Sequence, residues 1–191
     1  MKQIEHLIRI IRNSHRILIM IDGRCGAGKT TLANLLQNHL EIPVIHLDDY
    51  YLPFIKRDTA AKESTMPNVD HIRFINEVLQ PYQAQEPIIY RRYQCHEDTF
   101  YEPIEIGTCP KLIIEGSYSH HPFFQMENSY RVFVNVEQGL QLSRLKQRNE
   151  EVFPMFVSTW IPMEEAYFDH FSIMDTSDIV IDTTNNDIIK G

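Results

Sequence analysis

Eight consecutive residues, Gly23-Arg24-Cys25-Gly26-Ala27-Gly28-Lys29-Thr30, satisfy the pattern G-x-x-x-x-G-K-[ST] without a gap. At average residue frequencies this pattern arises by chance in roughly 1 of 200 chains of this length. Its surroundings are the ones its chemistry requires. The segment RILIMID, Arg16 to Asp22, is a short apolar run suited to a strand buried on both faces. KTTLANLLQNHL follows, with Leu32, Leu35, Leu36 and Leu40 on one helical stripe. Strand, glycine-rich turn and helix together bring backbone N–H groups and the positive end of a helix against a phosphate chain. Gly23, Arg24, Cys25, Gly26, Ala27, Gly28, Lys29, Thr30 and Thr31 are therefore the expected nucleotide-binding residues. Lys29 is expected to reach the β- and γ-phosphate oxygens, and the Thr30 hydroxyl to ligate Mg²⁺.

Further along, apolar runs alternate with helical patterns. Ile4, Leu7, Ile8 and Ile11 predict a short amphipathic helix over residues 2–13 that packs on the sheet edge. PVIHLDD reads as a second strand ending at Asp48 and Asp49, and the stretch from Tyr50 to Asn68, without clear period, as a long loop. Asp70 is placed to N-cap a helix from about His71 to Gln80. IIYRRY and FYEPIEI are β-prone runs that predict a hairpin outside the main sheet. KLIIEG, RVFVNV and the last run, IVID, predict three more strands, with a helix EQGLQLSRLKQRNEE after the second and another around Met163 to Phe171. Such alternation implies parallel βαβ units with right-handed crossovers. The expected fold is a doubly wound α/β, mostly parallel sheet of about five strands, the three-layer sandwich of P-loop NTPases, with a small hairpin insert. One domain is expected over residues 1–191, its substrate loop and insert spanning about 50–106 and a lid-like helix about 138–150.

Three carboxylates fall at strand ends, where open α/β sheets gather ligands. Asp48 can orient an acceptor hydroxyl and take its proton during phosphoryl transfer; its loose transition state makes an ordinary aspartate a sufficient base. Asp48 can also contribute to the metal, while Asp49 serves the site or caps the strand end. Glu115, beside Gly116, can bind Mg²⁺ directly or through water if its strand neighbours the glycine-rich turn; the alternative is a turn cap. Arg144 and Arg148, four apart on a helix that also carries Lys146, can clamp charge on the transferred group, although a basic helix face is commonly just solvated. Trp160, Tyr167, Phe168 and Phe171 read as packing residues, and His120 and His121 as a polar turn. Asp182 could face the nucleotide base, though nothing in the sequence requires it.

Composition excludes several classes. The 191 residues carry a formal charge of −8, which argues against general affinity for nucleic-acid backbones. No run approaches the roughly 18 apolar residues of a membrane span, so a cytoplasmic location without membrane contact is expected. Cys25, Cys95 and Cys109 lie far apart, without a CxxC pair, and suggest neither disulfides nor a zinc site. The expected partner is a small-molecule substrate, with a homo-oligomer left open.

With these residues in place, the chain resembles the uridine kinase family, whose relatives include phosphoribulokinase and bacterial pantothenate kinase. The likeness runs from about Ile17 to Asp182. It rests on IDGRCGAGKTTLA, LDDYY, the Asp70 segment, IIYRRYQCH, LIIEG and LSRLKQR. The resemblance implies ATP or GTP with Mg²⁺ as cofactors and phosphorylation of a hydroxyl, most simply the 5′-hydroxyl of uridine or cytidine. It implies that Asp48 acts on the acceptor, that Tyr51 faces the substrate and that Asp70 binds ribose. It further implies the acidic role of Glu115, lid roles for Arg144 and Arg148, and substrate contact by Tyr90 and His96. The family's Y-D-F-x-x-H stretch is here Tyr90-Arg91-Arg92-Tyr93-Gln94-Cys95-His96, so Arg91 and Arg92 replace an acid and an aromatic. Paired arginines suit a carboxylate or phosphate, which keeps an anionic acceptor contacted by Arg92 as an alternative. A nucleotide-binding regulator that phosphorylates nothing is the other.

Overall fold

A computed structural model describes residues 2–53, 66 and 68–185. Its centre is β1 (Ile17–Gly23), every residue of which is buried. The chain enters through α1 (Lys2–Asn13) and leaves β1 into α2 (Lys29–Leu40) and the short β2 (Val44–His46). α3 covers residues 71–84 and β3 is Ile88–Tyr90. Then follow β4 (Tyr93–Gln94), β5 (Thr99–Phe100), β6 (Ile104–Gly107) and β7 (Lys111–Glu115). The last elements are β8 (Ser129–Asn135), α4 (Gln138–Arg148), α5 over residues 153–171, and β9 (Ile179–Asp182). No helix among the described residues is long and apolar enough to cross a membrane.

The main sheet has five strands in the order β2-β7-β1-β8-β9, and every pairing within it is parallel. Strand periodicity explains its two covers, because alternate residues point to opposite faces. Ile17, Ile19 and Ile21 pack with Leu7, Ile11, Leu32, Ala33 and Leu36 beneath α1 and α2. Leu18 and Met20 pack with Phe74, Val78, Phe133, Tyr167 and Phe168 beneath α3 and α5. Burying each such side chain stabilises the fold by about 1.5–3 kcal/mol, so this core alone specifies which face each strand residue takes. The insert stands apart: β3 pairs antiparallel with β6, and β4 with β5, in two small sheets outside the main one.

Three boundaries differ from the sequence reading. β2 ends at His46, and Leu47–Tyr50 form a 3₁₀ turn, because Leu47 and Tyr50 must both reach the core while Asp48 turns outward. The helix after Asp70 continues beyond Gln80 through Gln80–Ala84, and the last helix begins at Phe153 instead of Met163. Both helices contain a π-helical stretch, Ile75–Leu79 and Phe156–Trp160, and each stretch is followed two residues on by a proline, Pro81 or Pro162. A proline lacks the N–H that would close the ordinary helical bond, and local widening accommodates the loss without ending the helix. Of the segment from Tyr50 to Asn68, expected to be a loop, residues 54–65 and 67 lie outside the described residues. Its ends meet, since Tyr51 bridges Val69 and Leu52 N–H donates to the Asn68 carbonyl at 2.8 Å.

Candidate active site

The glycine-rich turn leaves β1 at the carboxyl edge of the sheet, flanked by β7 on one side and β8 on the other. Gly23 has φ +136°, and a Cβ there would lie 2.1 Å from the Val134 carbonyl oxygen of β8, so only glycine lets the strand pass so close. Gly28, at φ +100°, precedes the first turn of α2. Lys29 folds back over the turn, its Nζ donating to the Gly23 carbonyl and lying 3.3 Å from Ser117 Oγ. Burial works to lower the Lys29 pKa, but the carboxylates of Glu164, Asp22 and Glu115 outweigh it and raise the value, so the ammonium stays charged. Burial and the Glu164 charge push the Cys25 thiol up, which makes it a poor nucleophile.

Because β7 lies beside β1, Glu115 arrives next to the start of α2, as the sequence reading required. Thr30 Oγ1 donates to Glu115 Oε1 at 3.1 Å, and His46 Nδ1 lies 2.6 Å from the same oxygen. Glu115 is only 4% exposed, and its hydrogen bond raises the His46 pKa against the opposing effect of burial. A hydroxyl and a carboxylate converging beside the lysine of the glycine-rich turn are hard oxygen donors of the kind Mg²⁺ prefers. Among the described residues no group of three or more His, Cys, Asp or Glu side chains forms a metal cage.

The two aspartates after β2 separate in role. Asp48 is exposed and accepts from Tyr51 Oη at 3.0 Å. Water reaches it, yet the protein atoms crowding its crevice and the Glu115 charge raise its pKa, while Lys29 acts in the opposite direction. Asp49 is buried, and its Oδ1 accepts from Arg92 Nε at 3.0 Å. Arg73 lies across the Tyr50 ring, 4.1 Å from its centroid, and donates to the Asp49 carbonyl at 2.9 Å and to Glu77 Oε2 at 3.3 Å. Asp70 caps α3 as expected, accepting from Arg73 N–H at 3.1 Å. Tyr90 is buried, stacked on Tyr50 at 6.2 Å between ring centroids. His96 is exposed in the turn between β4 and β5.

The arginines of α4 divide as well. Arg144 donates to the Gly26 carbonyl at 3.3 Å and to Thr183 Oγ1 at 2.9 Å, which ties α4 and the end of β9 to the back of the glycine-rich turn. Arg148 is exposed at the last turn of α4. His120 and His121, read as a polar turn, are instead 5% and 2% exposed. The His120 N–H donates to Asp22 Oδ2 at 3.0 Å, and Tyr167 Oη to the same atom at 2.9 Å, so the buried strand-end aspartate pulls the turn after β7 and α5 onto β1.

Sequence reading missed the acids of α5. Glu164 Oε2 accepts from the Cys25 N–H at 2.9 Å, and Oε1 from Ser117 Oγ at 2.5 Å. Glu165 accepts from Arg24 through both oxygens, at 2.7 and 2.8 Å, and Arg24 also donates to Asn135 Oδ1. A signal was present: Glu164 precedes Tyr167 and Phe168 by three and four positions, so it falls on the buried stripe of its helix, where a carboxylate needs a partner.

A parallel sheet with a phosphate-binding turn after its central strand, a lysine folded over that turn and a threonine–glutamate pair beside it define a P-loop nucleotide-binding protein with a kinase-like fold. Residues 19–153 match the AAA domain family AAA_18, and the chain belongs to that family. No curated protein matches it. Among solved structures it is similar to a possible uridine kinase from Bacillus stearothermophilus, with a TM-score of 0.73 and 20% identity over 95% of this chain and 98% of the other. It is also similar to a protein proposed to be a fructose transport system kinase from Silicibacter sp. TM1040, with a TM-score of 0.62 and 19% identity over 94% and 97% of the two chains.

Proposed function

We propose that the chain transfers the terminal phosphoryl group of ATP, or GTP, to a hydroxyl of a small molecule, with the 5′-hydroxyl of uridine or cytidine the leading acceptor. The observation that best supports this is Asp48. It is open to the crevice, held by Tyr51, and close enough to Lys29 and Glu115 for both to act on its pKa. A nucleotide-binding switch has no use for a carboxylate there, whereas an acceptor hydroxyl does. The names of the two fold neighbours, a possible uridine kinase and a proposed sugar-transport kinase, agree with a small hydroxylic acceptor.

In this reading the acceptor oxygen forms a bond to the γ-phosphorus while the bond from that phosphorus to the β,γ-bridging oxygen breaks, releasing ADP, and the acceptor proton passes to Asp48. An upward-shifted Asp48 binds that proton more readily than an ordinary aspartate, at a transition state where little basicity is needed. Lys29 neutralises the charge that builds on the β- and γ-oxygens. Thr30 and Glu115 would hold Mg²⁺, which supplies further charge neutralisation across the phosphates. Arg144 fixes the turn through Gly26, and Arg148, exposed at the end of α4, is assigned the lid role in this reading.

Of the two arginines that suggest an anionic acceptor, Arg92 is already matched by the Asp49 carboxylate, whereas Arg91 is exposed and keeps a sugar phosphate or a pantothenate-like acid as the alternative acceptor. The test is a panel of uridine, cytidine and acidic metabolites with Mg-ATP, read by product mass. Product from an acid but not from the nucleosides rejects the leading acceptor, and ATP binding without any product favours the regulator.

A further inference from the structure

A phosphate-binding turn works by presenting backbone N–H groups and a lysine to an anion, and here one such position is taken by the protein itself. The Glu164 carboxylate accepts the Cys25 N–H at 2.9 Å, is steadied by the Ser117 hydroxyl at 2.5 Å, and is 5% exposed. Ser117 Oγ lies 3.3 Å from Lys29 Nζ, so the carboxylate and the lysine share one small polar cluster. The next residue, Glu165, grips Arg24 of the same turn through both oxygens. Successive residues of α5 thus hold the turn at a side chain and at an amide.

We infer that Glu164 is an internal competitor for the terminal phosphates of the nucleotide, so that ATP binding requires withdrawal of its carboxylate from Cys25. This rests on the nucleotide-binding reading of the turn. Holding α5 in place does not by itself need Glu164: Asp22 fixes Tyr167, and Arg24 fixes Glu165. What Glu164 adds is negative charge at an amide that otherwise serves a phosphate, within the field of the lysine that serves the same phosphate. An anion and a polyphosphate cannot both occupy that position at low cost, and a ligand shifts an equilibrium only by its differential affinity for the two states. Nucleotide affinity is therefore set partly by a residue that the nucleotide must push aside.

The experiment is titration of the full chain with Mg-ATP and, separately, with AMP, by calorimetry. Glu164→Gln keeps size and hydrogen bonding and removes the charge. It is expected to tighten ATP binding about tenfold, within the usual range of coupling energies, and to leave AMP unchanged because AMP carries no β- or γ-phosphate. Ser117→Ala, which frees one carboxylate oxygen, is expected to tighten ATP binding about threefold, and it carries the test if E164Q does not fold. Equal or weaker ATP binding by the folded variants, or an equal gain for AMP, overturns the inference while leaving the nucleotide-binding reading intact. Absence of ATP binding by both wild type and variants defeats that reading and the inference together. ATP binding by E164Q alone supports the competitor in its strongest form.

Discussion

Thr30 Oγ1 donates to Glu115 Oε1 across 3.1 Å, joining residues 85 positions apart through nothing more than the adjacency of β1 and β7. The bond aligns a hydroxyl and a carboxylate at the mouth of the turn. In the proposed reaction these oxygens bind the cation that accompanies ATP. Glu115→Gln should therefore raise the Mg²⁺ concentration needed for half-maximal turnover by roughly 10-fold or more, the scale on which metal sites respond to lost supporting groups. An unchanged Mg²⁺ requirement would return Glu115 to the role of a turn cap that restrains His46.

Asp48 and Asp49 are adjacent in sequence, yet their substitutions should fail in different ways. Asp48→Asn removes a proton acceptor from an open position and should lower kcat by about 10²–10⁴ while ATP affinity stays within about twofold. Asp49→Asn weakens the ion pair with Arg92 around a buried carboxylate and should appear in urea unfolding as a loss of about 1–3 kcal/mol. If D48N turned over at the wild-type rate, no reading in which this aspartate acts on the acceptor would survive.

Gly23 and Gly28 test the turn as a piece of backbone geometry. A methyl at Gly23 meets the Val134 carbonyl and amide of the neighbouring strand, so Gly23→Ala combines backbone strain with a clash that no rotamer relieves. A cost of about 3 kcal/mol or more is expected. At Gly28 nothing lies within 4 Å of the added carbon, so Gly28→Ala carries only the left-handed penalty of roughly 1–2 kcal/mol. Equilibrium denaturation should rank G23A well below G28A, and the reverse order would contradict the close passage of β1 and β8.

The parts of this chain that could be read before its structure are those where one local rule decides the outcome. The sheet followed from short apolar runs, since β1 is buried on both faces and needs no alternation of polar residues. The Thr30–Glu115 encounter followed from strand-end position once the two strands were taken as neighbours. Asp70 announced its cap. What could not be read depends on long-range packing. Whether Asp48 or Asp49 turns outward is decided by the 3₁₀ turn that buries Leu47 and Tyr50. The pairing of Arg92 with Asp49 could not be read because the two lie 43 positions apart. The polar turn around His120 gave no sign that a buried aspartate would draw it inward. Glu164 was the most accessible of these, since its helical spacing to Tyr167 and Phe168 already put a carboxylate on an apolar stripe.

His121 joins the stability of the fold to acidity. Its ring is buried against Tyr167, Phe171 and Phe124, and its Nδ1 accepts the Phe123 N–H at 3.2 Å. Burial, reinforced by the nearby His71 and His170 charges, lowers its pKa from 6.5 to about 4. A base whose folded pKa is depressed binds fewer protons folded than unfolded at intermediate pH. Its stabilising contribution is therefore complete above pH 6.5 and is lost as pH falls toward 4. By linkage the loss reaches about 2 kcal/mol at pH 5 and about 3 at pH 4. His120, lowered in the same direction by burial, adds to the slope. Urea titrations at pH 7 and pH 5 on wild type and His121→Phe should show the variant losing about 2 kcal/mol less across that interval, since phenylalanine keeps the stacking and cannot charge. Equal losses in the two proteins would mean that His121 titrates in the native state much as it does in the unfolded chain, and that the burial described for its ring does not hold in solution.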